Sequence, residues 1–357
     1  MNALTMPARP DDDARLRPVP WRRMAGVTWR QHRLALAGVA VLLGALAVWL
    51  WIMGTPLHHA WAAAAACHPA SSAACQNLIV NFNISIENHV MSSKGPGGVL
   101  LQAMPGLIGA FIGAPVLARE LETGTFRYAW TQGFGRWRWA LAKLVALAVV
   151  LAAATALFGL LVSWYYQPYS GTASQAAELN QVTPFASLFS LREVTFPAWT
   201  VAAFTIAALA GMLVRRVVPA IAATLAVYTG LAFATAGLLR QHYLAPLVTT
   251  SQNPPATGWI ISQWFTRDGQ YAFGANPPVS LVNQACPALA SGKPGPPGEG
   301  YVQQLAQCLG QHGYIQWTSY QPASRLWPFQ WIEGGWLLAL SALLIVAAVW
   351  LVQRRAA

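Results

Sequence analysis

Charge is scarce in this chain. Only 9% of its 357 residues are Asp, Glu, Lys or Arg and 55% are hydrophobic, where a soluble domain carries about 25% charged residues. That shortage excludes an ordinary soluble globular domain. Cysteine is scarce as well: four residues with no C-x-x-C are too few for a disulfide scaffold and wrongly spaced for a zinc site. The seven histidines form no H-E-x-x-H, which removes that metalloprotease signature. Lysine occurs three times, at Lys94, Lys143 and Lys293, and none completes G-x-x-x-x-G-K-[ST]. Lys293 follows Gly292, but Pro287 stands where the first glycine belongs and Pro294 comes next. A P-loop needs those glycines so that backbone N–H groups can reach phosphate, so ATP hydrolysis is not expected of this chain.

Long apolar runs are what it has. At about 1.5 Å per residue, about 20 apolar residues cross a hydrocarbon core of about 30 Å. Six stretches qualify: Leu34 to Met53, Val99 to Leu117, Leu141 to Trp164, Phe196 to Val214, Val217 to Leu239 and Trp331 to Val352. The expected fold is an all-α integral membrane protein with six transmembrane helices. The first run is too long for a cleaved signal peptide.

The net charge of +11 is resolved by where the basic residues fall. With a cytoplasmic N-terminus, sixteen lie on the inner side: seven arginines before residue 34, five residues from Arg119 to Lys143, Arg215 with Arg216, and Arg354 with Arg355. Six are spread over the much longer outer loops. The positive-inside bias puts both termini in the cytoplasm, and the surplus charge reads as topology rather than a nucleic-acid surface. Trp49, Trp51, Trp164 and Trp331 fall at outer ends and Trp137, Trp139 and Trp350 at inner ends, the two interfaces that amphipathic rings favour.

Residues 1–20, with four prolines and Asp11 to Asp13, are expected to be disordered. In 21–33, Trp21, Met24, Ala25, Thr28 and Trp29 share one helical side while Arg22, Arg23, Arg30 and Arg33 gather on another. This predicts an amphipathic helix in the cytoplasmic interface, beside lipid headgroups; a basic juxtamembrane linker fits the same residues. Large extracellular loops follow, of which 240–330 is long enough to form a domain of its own before the segment 331–357, and Ser291 to Gly300 reads as irregular. All four cysteines lie in these loops, so two local disulfides are expected, Cys67 with Cys75 and Cys286 with Cys308. Loop-entropy arithmetic gives about 2.6 and 3.4 kcal/mol for them as upper estimates. His58, His59, His68 and His89 share the first loop with Cys67 and Cys75; solvated histidines are expected there and no metal. Lys143 and Glu333 sit at span ends, where snorkelling suffices.

Within 34–239, the connection after span two, 118–138, is distinctive: Arg119-Glu120-Leu121-Glu122-Thr123-Gly124-Thr125-Phe126-Arg127, then Gly135-Arg136-Trp137-Arg138-Trp139 and Lys143. Mixed charges around Gly124 and Thr125 fit a short helix parallel to the membrane, Gly124 ending one turn and Thr125 capping the next; a solvated loop fits the same composition. The pattern R-E-x-E-x-G-T after a Gly-containing span, followed by a basic run and a lysine opening the next span, resembles the permease subunit of ABC-2 type transporters. So do the six spans, the cytoplasmic termini, the leading interfacial helix and the tight basic turn between spans four and five. The resemblance implies that Arg119, Glu120, Glu122, Gly124, Thr125 and Arg127 couple to an ABC ATP-binding subunit, which holds ATP and Mg, and that a second permease copy completes the assembly. It implies a bacterial cytoplasmic membrane. The long loop between spans five and six departs from the simplest members.

Transported species leave a fainter trace. The spans hold no relay of carboxylates such as an ion-coupled carrier needs. Phe111 in span two and Tyr228, Phe233 and Thr235 in span five are candidates to line an apolar path suited to an amphiphilic cargo; ordinary helix packing explains the same residues. Gly109 and Gly113 form G-x-x-x-G, which permits close helix approach within the subunit or at a dimer seam. Beside an exporter permease, two other functions stay open: an integral-membrane sensor or immunity protein, and a membrane enzyme with an extracellular site. The outer acids Glu87, Glu178, Glu193, Asp268 and Glu299 are isolated in sequence, unlike a paired catalytic set.

Overall fold

The computed structural model describes residues 20–68, 72–94, 96–123, 136–170, 189–250, 258–290 and 301–355. Six helical stretches in it are long and apolar enough to cross a membrane. They belong to α1 (Trp21–Ala66), α3 (Pro96–Thr123), α4 (Arg136–Ser170), α5 (Thr195–Val214), α6 (Val217–Ala234) and α10 (Leu326–Arg355), with α2 (Ala73–Lys94) beside α1 and α3. The membrane part is all-α. The six spans alternate in direction between a basic end, with Trp21, Thr123, Arg136, Arg215 and Arg355, and a disulfide end.

Helix α5 is the centre. Two thirds of its most apolar window is buried (67%), against 17% for α1 and for the α6 stretch. It packs closest to α3, because Gly109 and Gly113 of α3 and Gly211 of α5 leave no side chain between the backbones. A Cβ at Gly113 would strike the Phe204 carbonyl, one at Gly109 the Ala203 and Phe204 backbone, and one at Gly211 would sit 2.7 Å from the Ala114 carbonyl. The G-x-x-x-G therefore serves packing within the subunit. Leu34, Val41, Val48, Leu157, Val218 and Val346 remain exposed on the outside of the bundle, the surface that lipid would cover.

Helix α1 departs from expectation. Trp21–Arg33 is not a separate interfacial helix but runs without interruption into the span. No Gly or Pro interrupts the stretch from Val27 to Ala37 that contains the Arg33–Leu34 junction, and helix propagation adds one hydrogen bond per residue. At about 1.5 Å per residue the whole helix is about 69 Å long, more than twice a bilayer core. Pro56 lies inside it and removes one N–H bond; Thr55 Oγ1 lies 2.7 Å from the Trp51 carbonyl and 3.3 Å from that of Ile52, the acceptor left free. Pro168 in α4 frees the Trp164 carbonyl in the same way, and His58 Nε2 of α1 donates to it at 2.9 Å. The His58 ring also stacks on Trp164 with centroids 4.3 Å apart. This histidine, taken for a solvated loop residue, ties two helices together.

The last connection adds a sheet to the helical protein. Strands β1 (Leu247–Thr249), β2 (Trp259–Arg267), β3 (Gln270–Gly274) and β4 (Tyr314–Gln321) pair antiparallel in the order β1-β4-β2-β3. Asp268 and Gly269, at φ 50° and 77°, make the two-residue β2–β3 turn. Helices α7 (Val279–Ala285), α8 (Pro287–Ala290) and α9 (Tyr301–Gln311) complete the lobe. Phe265 of β2 packs with Val282, Leu305, Leu309 and the buried Cys286. Both expected disulfides are present, Cys67–Cys75 with Cα atoms 5.6 Å apart and Cys286–Cys308 with Cα atoms 6.1 Å apart. The expected tail, Pro20 apart, and the irregular stretch 291–300 lie outside the described residues.

Candidate functional site at the basic end

The last two turns of α3 carry Arg119, Glu120 and Glu122, and α4 resumes at Arg136. Gly124, Thr125 and Arg127 lie outside the described residues. Glu120 does not stand free. Its Oε1 accepts a hydrogen bond from Lys143 Nζ of α4 at 2.6 Å, with the two side chains 19% and 4% exposed. Lys143 Nζ also lies 5.1 Å from the centre of the Trp139 ring, and Arg138 covers Trp21 of α1 at 5.2 Å. Snorkelling is thus the wrong account of Lys143: its stem points into the bundle, where an ammonium keeps its charge through a partner.

Glu122 is exposed and turns toward α6. Its Oε1 accepts the backbone N–H of Val217, the first residue of that helix, at 3.3 Å. Helix N-termini have unpaired N–H groups and a positive dipole end, so a carboxylate from another helix serves as a cap. The α5–α6 turn that brings Val217 there is built by Arg215 at φ 59° and Arg216 in an extended conformation.

The four candidate path residues do not share one wall. Phe111 and Phe233 are exposed on the bundle surface, at 57% and 75%. Tyr228 is buried beside Gly106 and edge-on to Trp199, and its hydroxyl donates to the Gln102 carbonyl at 3.3 Å. Thr235 is buried where α6 loosens into a π turn, Thr235–Leu239.

At the disulfide end the same helix meets a buried ionic network that sequence reading missed. Arg240 donates to Glu333 of α10 through Nε and Nη2, both at 2.9 Å, and Trp199 Nε1 of α5 donates to Glu333 Oε1 at 2.8 Å. Glu333 is fully buried, so snorkelling is again wrong. The Tyr243 hydroxyl donates to Glu333 Oε2 at 3.4 Å and accepts from Trp336 Nε1 at 3.0 Å. Burial first, then the Glu333 carboxylate, pushes the Tyr243 phenol far above its usual range, so it stays a donor. Nearby, burial pulls the Arg192 guanidinium below its ordinary value while Glu193, 3.9 Å away, opposes. The signal for Glu333 was in the sequence: a carboxylate inside a helix long and apolar enough to cross a membrane calls for a cationic partner, and Arg240 closes the preceding span. Among the described residues no three His, Cys, Asp or Glu side chains converge as a metal site.

Six apolar helices, a basic end with a tight α5–α6 turn and a core sealed by helix–helix glycines define a multi-pass membrane protein. Residues 40–240, more than half of the chain, match the family model described as ABC-2 membrane transporter related. The chain belongs to that family and is an ABC-2 type permease, the membrane subunit of an ABC transporter. The matched region begins inside α1 and ends at Arg240, so it contains the Glu120–Lys143 pair, while the sheet-bearing lobe and α10 follow it. Neither curated proteins nor solved structures gave a match.

Proposed function

We propose that this permease works in an ATP-driven exporter that moves an apolar or amphiphilic compound out through a bacterial cytoplasmic membrane, both termini being cytoplasmic. A separate ATP-binding subunit supplies ATP and Mg, since no lysine here stands in a P-loop, and a second permease copy completes the translocation unit. The observation that carries the reading is the basic end. There the ends of α3, α4 and α6 are tied together by Glu120, Lys143 and Glu122, next to the helix ends Thr123 and Arg136 that flank residues 124–135 in the chain. Family membership supports the ATP-binding partner. Apolar cargo is supported by spans whose charges pair with one another and leave no free carboxylate relay among the described residues.

Affinity purification of the tagged full chain from its native membrane tests this. The expected result is a co-purifying chain with a P-loop whose ATP turnover depends on the permease, together with ATP-dependent efflux of a lipophilic dye such as Hoechst 33342. Reporter tags at both termini and beside Arg215 should be cytoplasmic, and tags at Gly171 and Gly295 external. A permease that purifies with no ATP-binding chain, or a cytoplasmic tag at Gly295, would overturn the proposal.

A further inference from the structure

Two helix ends frame the 124–135 connection, Thr123 of α3 and Arg136 of α4. A partner that docks on this connection pulls on both ends through the chain itself. Independent helices would answer separately, and the displacement would dissipate as relative motion. Instead one charged side chain from each flank meets across the base of the connection, Glu120 from α3 and Lys143 from α4, at 2.6 Å. Stability alone is a poor reason for the pair, because well-packed apolar residues often do as well or better in such positions. A rigid link between the two flanks is what the ions add. Glu122, two residues on, caps the first N–H of α6 at 3.3 Å. The far end of α6 continues through the π turn to Arg240, whose two bonds to Glu333 anchor it to α10 and the lobe.

We propose that Glu120, Lys143 and Glu122 are positioning residues for coupling. Glu120 and Lys143 clamp the two flanks of the docking connection into one body, and Glu122 passes that body's displacement to α6. The glutamates therefore act inside the permease and are not the groups that touch the ATP-binding subunit. The proposal rests on reading 124–135 as the docking connection.

All four cysteines of the chain are in disulfides, so introduced thiols have no competing background. The test uses the full permease with its co-purified ATP-binding subunit in lipid nanodiscs, and the readout is ATP turnover relative to that subunit alone. Glu120→Lys and Lys143→Glu should each lower permease-dependent turnover roughly fivefold or more with the subunit ratio unchanged. The exchanged pair, Glu120→Lys with Lys143→Glu, should recover to within about twofold. Glu122→Ala should lower turnover, and Glu122→Gln, which keeps an acceptor oxygen, should restore it. A Glu120→Cys, Lys143→Cys pair bridged by a short bis-methanethiosulfonate should cross-link and keep turnover, which also covers the case in which the charge variants fail to fold. An exchanged pair as defective as Glu120→Lys, a cross-link that fails to form, or one that forms and abolishes turnover would overturn the clamp. Absence of any ATP-binding chain with the wild-type permease would defeat the docking reading instead, while cross-link yield would still report on the pair.

Discussion

Glu333 accepts two hydrogen bonds from Arg240, both at 2.9 Å, and this ion pair joins the end of the α6 stretch to the first turns of α10. The lobe is inserted between these two residues. Gln321 Nε2 donates to the Leu244 carbonyl at 2.7 Å and Arg325 Nη1 to that of Ala245 at 2.6 Å, so the lobe's two chain connections are zipped beside the ion pair. Movement of α6 against α10 would therefore be felt by the lobe.

Arg240→Met should be costly, because it leaves a fully buried carboxylate with no cation. Breaking one side of such a pair costs about 3–5 kcal/mol, read as a lowered thermal midpoint in detergent. Glu333→Leu added to Arg240→Met should recover part of the loss, since neither charge of the pair is then left buried alone. If the double variant is no more stable than Arg240→Met, the ionic account fails.

His58 replaces the bond that Pro168 cannot make. His58→Ala should leave the Trp164 carbonyl unsatisfied at about 1–3 kcal/mol. The same substitution should cost less beside Pro168→Ala, which supplies a backbone N–H to that carbonyl. Equal costs in the two backgrounds, measured by thermal unfolding, would show that His58 acts through ring stacking alone.

The six spans were legible because a bilayer imposes one length and one composition on every crossing helix. The disulfide pairs were legible from sequence proximity. What a reading by span length and composition passed over were partners distant in the chain: Lys143 with Glu120 across a hairpin, Glu333 with Arg240 across the lobe, and His58 with Trp164, whose need arises from Pro168 four residues on. The sheet was missed for another reason. Asp268-Gly269 between Trp259–Arg267 and Gln270–Gly274 is a strong hairpin turn signal, but a search for apolar runs of membrane length passes over strands of five to nine residues. The path residues show the limit most plainly, since a one-dimensional pattern did not separate the buried Tyr228 and Thr235 from the exposed Phe111 and Phe233.

Glycines on the spans should divide by what stands opposite. Gly113→Ala drives a Cβ into the backbone of α5 at Phe204, whereas Gly38 has nothing within 4 Å. Overpacking of this kind costs about 1–3 kcal/mol, so Gly113→Ala should lower the thermal midpoint and Gly38→Ala should hold or raise it. Equal behaviour would contradict the close α3–α5 seam.

Loss of the Cys286–Cys308 bond should loosen the lobe and spare the bundle. Its 22-residue separation corresponds to about 3.4 kcal/mol at most, and both sulfurs sit against the small core around Phe265 and Leu309. Cys286→Ser with Cys308→Ser should expose the lobe to limited proteolysis between residues 247 and 321 while the bundle stays intact. Cleavage unchanged from wild type would mean that the sheet holds the lobe without the crosslink.

Arg215 ends α5 in the left-handed region, φ 59° and ψ 18°, with its N–H bonded to the Gly211 carbonyl at 2.9 Å. A side chain in that conformation costs about 1–2 kcal/mol, and most of it vanishes with glycine. The turn must stay as it is, because the next residues place Val217 under Glu122. Arg215→Gly and Arg215→Val remove the same charge and leave Arg216 in place, so their comparison isolates backbone conformation from topology. Arg215→Gly should be at least as stable as wild type and keep the Glu122 cap. Arg215→Val adds branching at a backbone angle that branched residues avoid, and should lose stability and lower permease-dependent ATP turnover with it. If glycine and valine behave alike in both thermal unfolding and turnover, the left-handed residue is not what sets the α5–α6 turn, and the path from the basic end into α6 must begin elsewhere than at Val217.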